Sequence, residues 1–162
     1  MVVRARSLLQ RSALVFAVAF VATGCAGLTG EQDTMSHSGN PVGYFEIPVS
    51  DMTRAIAFYE SVFALTLERQ QIDGYDMALF PAGDGLPGAS GALAKGDVYV
   101  PGKAGAVLYF SVDSIDAVLA RAENAGAELL YAKKSLGELG FVAEIGDSEG
   151  NRIALHESAG GP

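Results

Sequence analysis

"YFEIPVSDMTRAIAFYESVF" runs from Tyr44 to Phe63 and changes its hydrophobic period partway along. Its first part belongs to "VGYFEIPV", residues 42–49, rich in Val, Ile and aromatic side chains. That composition predicts a strand, and Pro48, which lacks an N–H for the ladder, sets it at a sheet edge or marks its end. From there Met52, Ala55, Ile56, Tyr59, Val62 and Phe63 recur at helical spacing. Asp51 stands where an N-cap belongs, and Arg54 and Glu60 fall on the wet side. The stretch therefore predicts a strand turning directly into an amphipathic helix.

Outward from it, residues 66–72 and 75–82 read as two strands around the turn Asp73-Gly74. The loop "PAGDGLPGASG", residues 81–91, leads into a short strand at 92–95. By composition it could pass for a phosphate-binding loop, but it lacks the Lys and the helix that follow such a loop. The same order then recurs. Residues 105–112 predict a strand, and 114–126 a helix ending at Gly126 as a C-terminal glycine. Residues 127–135, 141–147 and 151–157 predict three more strands, with "DSEGN" (147–151) as the last turn. Lys133 and Lys134 suit a strand edge kept soluble. Aligning Val49 with Val112 brings Met52 onto Ile115 and sets "GALA" (91–94) against "IALH" (153–156). The chain is thus an α+β protein with an internal repeat of about 60 residues, each half βαβββ. Neither half covers its own sheet, so the two modules are expected to pair into one open-barrel, cleft-forming domain.

The amino terminus has a different character. Arg4, Arg6 and Arg11 precede the apolar run "SALVFAVAFVAT", and no acidic residue appears before Glu31. The run has the length of a signal-peptide core, about 7–15 residues, and falls short of the ~20 that span a bilayer. "ATGC", Ala22 to Cys25, then resembles a lipobox, although Leu is commoner where Ala22 stands. Cys25 is the only cysteine, so no disulfide partner exists for it. The expected division is a lipoprotein signal peptide at 1–24, a lipidated Cys25 with a flexible tether at 25–41, the domain at 42–158, and a disordered tail at 159–162. An ordinary secretory signal and an uncleaved anchor are the alternatives. The expected location is the bacterial cell envelope, on the periplasmic face of the outer membrane in a Gram-negative host. His37 lies in the tether without partner ligands nearby and reads as a solvated residue.

The chain carries 11 Lys and Arg against 19 Asp and Glu, a net charge of −8. Removing residues 1–24 takes away three arginines and no acid, which lowers the net charge by three, to −11. Such a balance argues against a nucleic-acid partner, whose phosphates demand a basic face. It also argues against electrostatic attraction to anionic lipid, so acyl chains on Cys25 must supply the membrane hold.

"YFEIPVSDMTRAIAFYESVF", the duplicated βαβββ units and "GDSEGNRIALHE" together resemble the vicinal oxygen chelate superfamily. That group includes glyoxalase I, extradiol dioxygenases and the bleomycin and fosfomycin resistance proteins. The resemblance implies a cleft in which His and Glu side chains hold a divalent metal that acts as Lewis acid and template. Carried over position by position, those ligands fall on Tyr44, Val107 and Ala154, with Ala92 the first-half partner of Ala154. Val and Ala offer no ligand atom, and a lone Tyr is a poor divalent site. The resemblance thus comes with an expected loss of the metal site and no cofactor.

Strand alternation puts Glu46 on the face of Tyr44, Tyr109 on that of Val107, and His156 on that of Ala154. If those faces line the cleft, Glu46 and His156 are candidates for acid–base work or a displaced metal site. The same two residues also suit a satisfied ion pair. Three functions stay open at this point. One is a metal-free module binding a small organic ligand among Tyr44, Glu46, Ala92, Val107, Tyr109, Ala154 and His156. Another is an enzyme of the glyoxalase or dioxygenase kind working around Glu46 and His156. The third is a structural or partner-binding lipoprotein, and a homodimer is left open.

Overall fold

The computed structural model describes residues 41–83 and 88–160. The expected signal peptide, Cys25, His37 and all of the tether before Pro41 lie outside the described residues, as do residues 84–87 and 161–162. The element order is β1 (Tyr44–Pro48), α1 (Met52–Phe63), β2 (Glu68–Ile72), β3 (Tyr75–Leu79), β4 (Ser90–Lys95), β5 (Leu108–Ser111), α2 (Ile115–Asn124), β6 (Leu129–Ser135), a short 3-10 turn (Gly137–Leu139), β7 (Phe141–Gly146) and β8 (Arg152–Glu157). The strands form two four-stranded mixed sheets, ordered β1-β4-β3-β2 and β5-β8-β7-β6. In each, the first strand of a half pairs parallel with its last. Pro48 ends β1, and β1 is an outer strand of its sheet.

The repeat holds down to single hydrogen bonds. Val49 N–H donates to the Ala94 carbonyl at 2.9 Å, and Val112 N–H donates to the His156 carbonyl at 2.9 Å. Glu46 lies beside Ala92 in one sheet as Tyr109 lies beside Ala154 in the other. Met52 and Ile115, the first residues of the two helices, are both fully buried. Each helix starts on a side-chain cap: Asp51 Oδ1 accepts from Arg54 N–H at 3.0 Å, and Ser114 Oγ from Ala117 N–H at 3.3 Å. Past α2, Gly126 adopts φ 78°, a left-handed conformation that glycine enters without a Cβ clash.

The helices and one face of each sheet enclose a single core. Ile47, Leu93 and Ala78 face it from the first sheet, and Ala143, Ile145, Ile153 and Leu155 from the second. Phe110 of β5 is the aromatic bridge between halves, with its ring 4.6 Å from Phe63, 5.8 Å from Phe80 and 6.2 Å from both Phe45 and Tyr59. Phe58, which was not expected on the apolar face of α1, is also buried there. A polar network crosses the same boundary. Tyr59 Oη donates to Asp147 Oδ2 at 2.8 Å, and Asn151 Nδ2 donates to Asp147 Oδ2 at 2.8 Å and to the Pro48 carbonyl at 2.9 Å. Burial, with the Asp147 charge, pushes the Tyr59 phenol well above its ordinary range, so it stays a donor.

β6 is an outer strand, as Lys133 and Lys134 suggested, but Lys133 is also an ion-pair partner. Its Nζ donates to Asp116 and Glu157, each at 2.9 Å, and lies 4.8 Å from the Phe141 ring centroid. The reason is register: β6 carries bulges, and Lys133 turns toward the start of α2, where Glu157 also accepts from Ile115 N–H at 2.7 Å.

Candidate functional site

The other face of each sheet carries no helix, and there the expected site residues lie. On β1, alternation turns Phe45 and Ile47 to the core, so Tyr44, Glu46 and Pro48 occupy the helix-free face. Ala92 and Ala94 of β4 and Met77 and Leu79 of β3 continue that face by register. On the second sheet Tyr109, Ser111, Ala154, His156 and Glu144 do the same.

Ala92 and Ala94 are fully buried although no helix covers them. The connection from β4 to β5 folds back over this face, and Tyr99 packs there with Tyr75, Met77 and Leu79. Its ring stands edge-on to Tyr75, with centroids 5.3 Å apart at 85°. Its hydroxyl donates to Glu46 Oε2 at 2.6 Å. That hydrogen bond, with burial adding to it, pushes the Tyr99 phenol up to about 12. Burial first, and the Glu46 charge second, also raise the Tyr44 phenol.

A cavity of about 310 Å³ opens beside Glu46 where the two sheets meet. Pro48, Val100, Ala104, Ala106 and Leu108 give it apolar walls, and Asn151 and Arg152 close the far side. Arg152 is committed elsewhere: Nε and Nη2 donate to the two carboxylate oxygens of Glu144 at 2.8 and 2.7 Å. The Glu144 carboxylate raises the Arg152 pKa and keeps the guanidinium charged.

Glu46 and His156 share neither a hydrogen bond nor an ion pair. His156 Nε2 lies 2.7 Å from the Leu139 carbonyl, so that nitrogen carries the proton. It lines a separate cavity with Tyr109, Leu136 and Val142. The expectation that Tyr44, Glu46, Tyr109 and His156 converge is corrected in part: Tyr109 and His156 line one cavity together, while Glu46 borders another. Alternation sets the face of each residue, but β1 and β8 belong to different sheets, and Glu46 is held by Tyr99 and His156 by the Leu139 carbonyl. Val107 is half-buried just ahead of β5.

Residues 42–155 match the Glyoxalase/Bleomycin resistance protein/Dioxygenase superfamily. The chain belongs to this superfamily. No curated protein sequence matches it significantly. Among solved structures it is similar to a glyoxalase/bleomycin resistance protein/dioxygenase domain from Frankia sp. EAN1pec, with TM-score 0.59 and 20% identity over 75% of this chain and 99% of that one. An antibiotic-binding protein from Streptomyces sp. CB03234 aligns with TM-score 0.55 and 23% identity, covering 76% and 99% of the two chains. A genomically encoded fosfomycin resistance protein from Listeria monocytogenes aligns with TM-score 0.54 and 16% identity, covering 76% and 93%. At these identities the likeness shows the shared fold.

The superfamily's metal does not fit this donor set. The positions that the resemblance assigns to its ligands carry Tyr44, Ala92, Val107 and Ala154, and both alanines are fully buried. Among the described residues no three His, Cys, Asp or Glu side chains stand close enough to share an ion. Sequence reasoning missed Tyr75, Tyr99, Arg152 and Glu144. The usable signal for Tyr99 was "DVYVP", residues 97–101, an apolar stretch that no strand of the repeat accounts for.

Proposed function

We propose that the chain is an exported lipoprotein whose glyoxalase-like domain binds a small organic molecule without a metal. The observation that carries this reading is the donor set: the positions that hold metal in the superfamily offer one phenol, one Val and two buried alanines. Beside that face, where the two sheets meet, lies an apolar-walled cavity with a few directed polar groups, the usual composition of a small-molecule site. One protein of the same fold is described as antibiotic-binding, which is consistent with that use. The basic start, the short apolar run and "ATGC" ahead of Cys25 support export and lipidation. Acyl chains on Cys25 would then hold an acidic domain at the envelope surface.

A thermal-shift screen of the purified protein tests the binding reading, with small aromatic compounds in one arm and divalent cations in the other. Stabilisation is expected from members of the first arm and not from the second. A protein stabilised by Zn²⁺, Ni²⁺, Mn²⁺ or Fe²⁺ and by no organic compound overturns it.

A further inference from the structure

The geometry points to a small organic cation as the ligand, its charged group seated on Glu46 against a wall of tyrosines. This rests on the binding reading above and narrows it to a chemical class.

Charge balance in the cavity is the first ground. Two of its lining residues are ionised, Glu46 and Arg152. Arg152 meets both carboxylate oxygens of Glu144, so its charge is answered within the protein. Glu46 is not answered. Its Oε2 accepts from a neutral phenol, and among the described residues no Lys, Arg or His lies within ion-pair distance of it. An exposed carboxylate held by one hydrogen bond has an oxygen left to receive a donor; the two lining charges cancel, but Glu144 answers Arg152 from outside the lining, which leaves the charge of Glu46 over.

The second ground is where the tyrosines went. The chain has six. Tyr59 is in the core; Tyr75 and Tyr99 pack on the helix-free face of the first sheet, where Tyr99 holds Glu46, and Tyr44 shares that face by alternation, all three outside the cavity's own lining. Tyr75 and Tyr99 stand perpendicular, two adjoining walls of aromatic surface. They are fixed rather than adaptable. A Cβ on Gly96 would collide with the Tyr75 ring, so glycine lets that ring lie against the backbone. Tyr99 is pinned by its bond to Glu46 and by its N–H, which donates to the Gly96 carbonyl at 3.2 Å. Tyr44 flanks Glu46 on β1 and is 50% exposed. Ring faces attract cations through their quadrupole, and a carboxylate among them adds a full charge. Neutral ligands gain only the apolar contact, and anions meet Glu46 in a protein of net charge −8.

Calorimetric titration with three probes of similar size tests this: benzyltrimethylammonium, benzyl alcohol and benzoate, at neutral pH and low salt. Benzyltrimethylammonium should bind most tightly and benzoate least. Glu46→Gln should weaken the cation by about tenfold and leave benzyl alcohol unchanged, which also shows the variant folded. Tyr99→Phe keeps the ring, frees Glu46 Oε2, and should retain cation binding to within about threefold. Benzyl alcohol binding as tightly as the cation overturns the cation preference while the binding reading stands. Glu46→Gln weakening all three probes alike overturns it too, because the residue then acts on the fold and not on charge. If none of the three binds, the inference fails, and the wider compound screen decides the binding reading separately.

Discussion

Glu149 offers the sharpest test of how the two halves are joined. It sits in the turn between β7 and β8, yet its carboxylate serves the start of α1 in the other half. It accepts from Ser50 N–H at 2.9 Å, Asp51 N–H at 3.0 Å and Ser50 Oγ at 2.6 Å. Arg54 adds Nε and Nη2, each at 2.8 Å. Burial alone would raise this carboxyl; Arg54, Ser50 and the Asp51 N–H outweigh it and hold the pKa at about 2, against an ordinary 4.5. At about 1.4 kcal/mol per unit that difference comes to about 3.5 kcal/mol. Arg54 is half exposed and solvent screens it, so about 2 kcal/mol is the working figure. A depressed carboxyl stabilises the fold fully above its unfolded pKa, and the contribution fades as pH falls from about 4.5 toward 2. Glu149→Gln should therefore lower the stability by about 2 kcal/mol at pH 7, read from urea denaturation followed by circular dichroism. The gap between the two proteins should close as pH falls through that window. A gap under about 0.5 kcal/mol at pH 7, or one that persists unchanged at pH 2, refutes the charged-latch account.

Gly91→Ala would drive its Cβ into the Phe45 carbonyl across the β1–β4 ladder, so it should cost about 3 kcal/mol or more and show as a collapse in soluble yield and denaturation midpoint. Cys25→Ser should remove both the membrane fraction and the incorporation of labelled fatty acid; a wild-type chain that never takes up label is secreted or held by an uncut segment instead.

The fold was legible where local chemistry decides it. The period change, the Asp51 cap and Gly126 all announce themselves within a few residues, and the repeat survives in the matched bonds of Val49 and Val112. Phe58 was missed because the apolar face of α1 is wider than one stripe: it meets both its own sheet and α2. The site was legible only as a set of faces. Alternation tells which side of a strand Glu46 occupies, but its partner Tyr99 lies 53 residues on, in a connection with no period at all. His156 was drawn to Glu46 on paper and is held by the Leu139 carbonyl, a backbone group that no side-chain pattern reveals. Glu149 likewise looked like one letter of a turn, since its contacts reach 98 and 99 residues back.

The claim that the domain binds without a metal is tested most directly by elemental analysis of the purified protein after loading with Zn²⁺, Ni²⁺, Mn²⁺ and Fe²⁺ in turn and exhaustive dialysis. With Tyr44, Ala92, Val107 and Ala154 at the ligand positions, each metal should remain far below one equivalent per chain. One equivalent of any of them surviving dialysis, and lost on Glu46→Gln or His156→Ala, would contradict it.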